Sequence, residues 1–361
     1  MSKLNLTARP FNLKLKYPFG ISRGTITYAK NVLVKLVFDD IVAYGEAAPS
    51  SYYGEDQNSV IELLQTFKKH KSLDGYLTNI PKLKEDLSNF FPFSPSLRAA
   101  VEMAFWDLLG KINNKCLYQF FFHDDPFLKN DSNYKNIPPT SYTIGLDNLF
   151  VIETKIKEAL NAGYKILKIK LGLGFEEDLC ILNSVKKIAS RGGGTPPLLR
   201  VDANGAWDLN TAKKMLEILP EYNVEILEQP LPKGQAHLLS ELAKNSPLPI
   251  FVDEDCMVTN DIESLAGTVH GINIKLMKSG SILETFNMIN LARSYNLKIM
   301  LGCMIESSCA ISAIAQFSPI ADYVDLDGHL LLEHDPFCGL LLENNKVVPS
   351  FDLGLGVSYI D

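Results

Sequence analysis

The chain has 361 residues, 46% of them hydrophobic and 21% charged, the balance of an ordinary globular protein. Its 42 acidic residues against 35 basic give a net charge of −7, which argues against a nucleic-acid partner. No apolar run approaches the roughly 18 residues of a membrane span, and the start, MSKLNLTARPF, carries neither a signal core nor a cleavage site, so a cytoplasmic location is expected.

Residues 4–46 contain strand-like stretches, among them Asn12–Lys16 and Asn31–Phe38. Residues 57–112 read as helical and end in the amphipathic run Ser96–Lys111. Asp124–Pro138 is polar and carries prolines, as a linker does. Eight short apolar, β-rich runs then recur: Thr140–Ile144, Ile166–Leu171, Leu198–Val201, Val224–Leu227, Pro249–Val252, Ile272–Leu276, Lys298–Gly302 and Tyr323–Leu326. Helical patterns lie between them: Ile181, Val185 and Ile188 share one face, Ala212, Leu216 and Leu219 another, and Ile282, Phe286, Ile289 and Ala292 a third. Strands alternating with amphipathic helices predict an α/β protein with a parallel sheet, and eight such units fit a (β/α) barrel better than an open sheet. The expected organisation is an N-terminal α+β domain over 1–125 and a barrel over 126–329. The segment 330–361, with strand character in Leu340–Val348, is expected to rejoin the first domain.

The six cysteines form no CxxC pair and read as buried thiols; the histidines form no ligand pair, so zinc is a poor fit. Gly192-Gly193-Gly194, followed by Thr195-Pro196-Pro197, reads as a loop and not a phosphate cradle.

In a barrel of this kind, catalytic residues sit where strands end. Asp202, Glu228 and Asp253 end three successive strands. Neighbouring strands are about 4.8 Å apart, so three carboxylates there repel unless a cation joins them. All-oxygen ligation points to Mg²⁺. Any one acid alone is more simply a helix cap; all three at consecutive strand ends are not. Lys168 and Lys170 are two apart on one strand, so their side chains project to the same side. Lys275 arises four strands on, roughly across the mouth, and a carbon held between would meet an amine on each face. A poorly solvated lysine, or one beside other cations, has a lowered pKa and becomes a usable base. Lys278, taken alone, reads as solvated.

The ordered set Lys168-Ile169-Lys170, Val201-Asp202-Ala203-Asn204, Glu228-Gln229-Pro230, Asp253-Glu254 and Ile272-Asn273-Ile274-Lys275 resembles the enolase superfamily, in its muconate-lactonizing subgroup. Gly45-Glu46-Ala47-Ala48-Pro49 and Ala99–Lys111 are similar to that family's capping domain. The resemblance implies a modified (β/α)₇β barrel under an N-terminal α+β capping domain, Mg²⁺ as cofactor, and an enediolate formed by removing the proton α to a carboxylate. It implies further that Asp202, Glu228 and Asp253 are metal ligands and that Lys170 and Lys275 are the acid/base pair. Lys168 would support the substrate carboxylate and lower its partner's pKa. No histidine ends strand six or seven, so the His–Asp base of the mandelate-racemase branch is missing.

Several reactions share the subgroup, and fold does not choose among them. Asp325-Leu326-Asp327, ending the eighth strand, resembles the Asp-x-Asp pair of dipeptide epimerases. Two carboxylates at i and i+2 project to one side and can bind the ammonium of a dipeptide. Cys303-Met304-Ile305, before Glu306, and Thr143 match substrate-lining positions there. Side-chain preference is expected from the capping loops Phe19–Thr27 and Ser50–Glu55. Arg23 is a candidate contact in the first, although a gap-free alignment places Gly24 opposite the arginine of Ala-Glu-specific members. Tyr52 and Tyr53 in the second suit larger or apolar side chains or packing. The expected activity is epimerisation of L-Ala-L-Xaa dipeptides, Ala-Glu included, with a small-molecule partner and the oligomeric state left open. The alternatives are o-succinylbenzoate synthesis, muconate cycloisomerisation, N-acyl amino acid racemisation, or a silent barrel used for binding.

Overall fold

The computed structural model describes residues 4–122, 136–191, 195–350 and 352–360. Most of the sequence-predicted linker and the Gly192–Gly194 loop lie outside them.

The first domain is built on an antiparallel sheet of β1 (Asn5–Ile21), β2 (Gly24–Phe38) and β3 (Ile41–Ala47). Along β1 the apolar residues Leu6, Phe11, Leu13 and Leu15 are buried while their polar neighbours face out, the period-2 pattern of a one-sided sheet. Helices Gln57–His70, Ile80–Phe90 and Pro95–Asn113 follow. The last of these is buried on nearly every face, not amphipathic as its sequence reads. Its acids are tolerated there because they are partnered. Glu102 accepts from Leu283 N at 3.0 Å; Asp107 accepts from Tyr44 N at 2.9 Å, Leu355 N at 3.0 Å and Lys111 Nζ at 2.7 Å. At Gly45 the helix passes so close that a Cβ would strike Ala100 O, which only glycine avoids.

The second sheet contains eight parallel strands in chain order: β4 (Tyr142–Ile144), β5 (Ile166–Lys170), β6 (Leu198–Asp202), β7 (Val224–Glu228), β8 (Ile250–Val252), β9 (Gly271–Lys275), β10 (Lys298–Gly302) and β11 (Tyr323–Asp325). Every residue of β5 and β9 is buried, apolar and polar alike, as in barrel strands covered on both faces. The barrel nearly closes between β4 and β11 through a Thr140–Val324 bridge and a bond from Leu326 N to Thr140 Oγ1 at 2.9 Å. Arg200 braces the same seam from inside, donating to Val324 O at 2.6 Å. Ile226, Phe251 and Met300 form a small apolar cluster of their own, with Tyr323 against it.

The chain's end lies against the first domain: Leu15 bridges Leu332, and Cys116 bridges Gly354. The hairpin of Leu341–Glu343 and Lys346–Val348 instead reaches the start of the barrel, where Thr140 N donates to Asn345 O at 2.7 Å. The β1–β2 hairpin is held to the barrel by Leu146 N donating to Gly20 O at 2.7 Å, an approach that a Cβ on Gly20 would block. All six cysteines are free; Cys180 and Cys338 are exposed, contrary to the expectation of buried thiols. Cys180 lies beside, not on, the helix face that buries Ile181 and Val185. Among the described residues no helix is long and apolar enough to cross a membrane.

Candidate active site

The C-terminal ends of the barrel strands bring acids and lysines together with little solvent. Register places Lys170 beside Asp202 and Asp202 beside Glu228 on adjacent strands. Lys170 Nζ donates to Asp202 Oδ2 at 2.5 Å. Lys168 Nζ lies 2.6 Å from Glu228 Oε2, 2.7 Å from Asp325 Oδ2 and 3.2 Å from Asp202 Oδ2. On the other side, Lys275 Nζ donates to Asp253 Oδ2 at 2.8 Å. All seven side chains are buried.

The electrostatics follow from this interleaving. Burial works against every charge, and partners decide the outcome. Asp202 is held low because Lys170 and Lys168 outweigh burial, and Asp253 lower still by Lys275 and Lys278. Glu228 is raised by burial and by Asp202. Lys168 stands well above the usual lysine value: burial would lower it, but Asp325, Glu228 and Asp202 prevail. Lys275 is raised as well, chiefly by Asp253 against burial. At Lys168 and Lys275 the lowering expected from poor solvation is outweighed by the facing carboxylates, at Lys275 in spite of the nearby Lys168 charge.

Among the described residues no three histidines, cysteines or acids are gathered closely enough to hold an ion as they stand. The donor set nevertheless fits a hard divalent cation. Glu228 Oε2 and Asp253 Oδ1 are buried oxygens with no well-angled hydrogen bond, only lysine charge beside them. Three carboxylates and no sulfur or imidazole suit Mg²⁺.

At the seam, Asp325 is bound by Ser141 Oγ as well as Lys168, and Asp327 Oδ2 accepts the N–H of Thr143 at 2.5 Å. Burial and the Asp325 charge raise Asp327. Cys303 Sγ contacts Asp325 O at 3.4 Å, placing the half-buried Cys303, Met304 and Ile305 beside this acid pair. Arg23 does not reach the lysines. It donates to Asn204 O at 2.8 Å and Glu254 Oε1 at 2.9 Å, and lies 4.2 Å over the Tyr52 ring, which meets Tyr53 edge-on at 5.0 Å.

Sequence reasoning missed three supports. Gln229 has φ of 36°, and its Oε1 accepts from Asp253 N at 2.9 Å and Glu254 N at 3.0 Å. Asn273 Nδ2 donates to Glu228 Oε1 at 2.7 Å. Lys278, read as solvated, is buried, because the turn Leu276–Ser279 carries it back over the end of β8. Its spacing of three from Lys275 was the available signal.

Residues 152–359 match the family of enolase C-terminal domain-like sequences, and residues 3–121 match the N-terminal domain of mandelate racemase and muconate lactonizing enzymes. The chain belongs to the enolase superfamily. It is 34% identical to an L-Ala-D/L-Glu epimerase of Bacteroides thetaiotaomicron, over 99% of this chain and 88% of that one. It is 35% identical to a hydrophobic dipeptide epimerase of Roseobacter litoralis, over 95% and 96%. Its fold matches a crystal structure of a dipeptide epimerase from Enterococcus faecalis, complexed with Mg and the dipeptide L-Leu-L-Tyr. The TM-score is 0.87 at 31% identity, covering 99% of each chain. Within this superfamily the chain is an isomerase.

Proposed function

We propose that this enolase-superfamily enzyme epimerises dipeptides of the L-Ala-L-Xaa type at the α-carbon of the C-terminal residue. The observation that carries the reading is the placement of Lys170 on β5 and Lys275 on β9, both buried and on opposite sides of one cluster of carboxylates. Inversion needs a proton taken from one face and returned to the other, so two amines across a carbon are the required machinery. Asp202, Glu228 and Asp253 would hold Mg²⁺, in keeping with the Mg bound in crystal structures of related dipeptide epimerases. When bound, Mg²⁺ supplies positive charge beside the substrate carboxylate. Lys168 adds a fixed ammonium to the same region.

Asp325 and Asp327 account for the dipeptide's amine. Asp327, raised by burial and by the Asp325 charge while Asp325 is already paired with Lys168, calls for a cation, and an ammonium placed beside it would relieve the repulsion. Thr143, Cys303, Met304 and Ile305 line that end. Arg23 is committed to Glu254 and Asn204, so the capping loops offer the Tyr52 and Tyr53 rings in place of a free guanidinium. A neutral or aromatic Xaa fits this better than glutamate, in keeping with the hydrophobic dipeptide epimerases among the relatives. Incubating the enzyme and Mg²⁺ with an L-Ala-L-Xaa library in D₂O tests the reading: each substrate gains one deuterium and its epimer appears. Exchange with N-acyl amino acids but with no free dipeptide would overturn it.

A further inference from the structure

We propose that Lys278 is a positioning residue of the metal site: a buried cation, anchored on main-chain carbonyls, that fixes Asp253 directly and Glu228 through Asn273. The proposal rests on the reading of Asp202, Glu228 and Asp253 as the Mg²⁺ ligands.

An ammonium has three N–H donors and no acceptor. Lys278 Nζ donates to Asp253 O at 2.5 Å, Asn273 O at 2.8 Å and Cys256 O at 2.9 Å. Its donors are thus spent on the backbone of three segments: the end of β8, strand β9 and the loop after Asp253. The side chain is 1% exposed, so no water competes. Asp253 Oδ1 lies 2.6 Å from the same nitrogen, yet has no well-angled hydrogen bond. Lys278 therefore draws the carboxylate in by charge and, with Lys275 on the other oxygen, fixes where it stands at the end of β8.

The second arm runs through Asn273. Lys278 pins the carbonyl of Asn273, whose side chain donates to Glu228 Oε1 at 2.7 Å. One ammonium thus sets the spacing of two carboxylates that arise on different strands. Gln229 holds Asp253 by its N–H, and Lys278 holds it by its carbonyl, so the residue is gripped at both main-chain ends. With its donors engaged, Lys278 is no proton carrier for substrate. Lys275 donates to one carboxylate oxygen, Asp253 Oδ2, and to no main-chain carbonyl in the manner of Lys278.

Partners behind metal ligands are worth roughly 10- to 100-fold in metal affinity. The test is calorimetric titration of Mg²⁺ into the wild type, Lys278→Met and Asp253→Asn without substrate, with the Tm of each protein recorded. Lys278→Met keeps the stem and deletes the ammonium; its Mg²⁺ Kd is expected to rise at least roughly tenfold. Lys278→Gln, which keeps an uncharged NH₂ donor group but not the ammonium, replaces it if the methionine variant does not fold, with the same expected loss. A Lys278 variant that is folded, even with a lowered Tm, and binds Mg²⁺ within twofold of the wild type overturns the proposal. It would mark Lys278 as structural only. If Asp253→Asn binds as tightly as the wild type, or the wild type binds no Mg²⁺, the ligand assignment itself fails, and Lys278 loses its role with it.

Discussion

Glu46, at the end of β3, accepts both the main-chain N–H of Ser307, at 3.1 Å, and its hydroxyl, at 2.5 Å. Ser307 caps the helix Ser308–Ala315, directly after the Cys303–Glu306 segment of the barrel mouth. A carboxyl of the first domain thus holds the capping residue of a barrel helix and ties the two domains together beside the site. Burial raises Glu46 to about 7, against its Ser307 and Asn31 donors. An unfolded glutamate titrates near 4.3. The folded state prefers the protonated form, so its contribution is complete below about pH 4 and is lost as pH rises through about 7. The loss is at most of order 4 kcal/mol. Glu46→Gln is always neutral but presents an amide N–H₂ to donors. It should be less stable than the wild type at pH 5, with the gap narrowing by pH 8. Urea unfolding at both pH values measures this; parallel stability curves would contradict it.

Removing the metal should silence the enzyme and soften it. With EDTA, α-proton exchange should cease, and Mg²⁺ should restore it. Mg²⁺ at about 100 times its Kd should add about 2.7 kcal/mol to the folded state. Thermal unfolding with and without the ion reads this directly, and Asp202→Asn should lose most of the shift.

The two lysines should separate inversion from exchange. Lys275→Ala should abolish epimerisation while one epimer still exchanges its α-proton with D₂O through Lys170. Lys170→Ala should show the converse preference. Proton NMR of each pure epimer in D₂O follows the label. Near-normal interconversion by both variants would mean that neither lysine is the base.

Much of this site was legible because barrel chemistry concentrates at strand ends. The apolar runs mark the strands, and the polar residue that stops each run marks the site. Residues that act through backbone contacts were not legible. Gln229 works only because its positive φ turns its amide under three consecutive N–H groups, and nothing in Glu228-Gln229-Pro230 displays that. Lys278 reads as solvated until the short turn after β9 returns it to the interior. The long β1 showed only Asn12–Lys16 because its outer face is polar along most of its length. Arg23 lies in the expected loop, but its partner Glu254 is 231 residues away.

On the proposed reading, the acid pair at the end of β11 and just beyond it decides the reaction class. Asp325 is tied to Lys168 and Ser141, whereas Asp327 is held by the N–H of Thr143 and stands raised by burial and by Asp325. A substrate ammonium beside Asp327 would turn this repulsion into attraction. Removing one partner of a buried charge pair costs about 2–5 kcal/mol. The lower figure already corresponds to roughly 30-fold in kcat/KM. Acetylating the dipeptide amine removes its charge and adds bulk against both acids, so the acetylated compound should be a far poorer substrate than the free dipeptide. Asp327→Asn keeps the shape and the acceptor for Thr143 but not the charge. It should depress turnover of the free dipeptide by at least roughly 30-fold and change that of the acetylated compound much less. The measurement is kcat/KM for both compounds on both enzymes. Equal or better turnover of the acetylated compound by the wild type would assign the chain to N-acyl amino acid racemisation, because only a substrate without an ammonium is indifferent to Asp327.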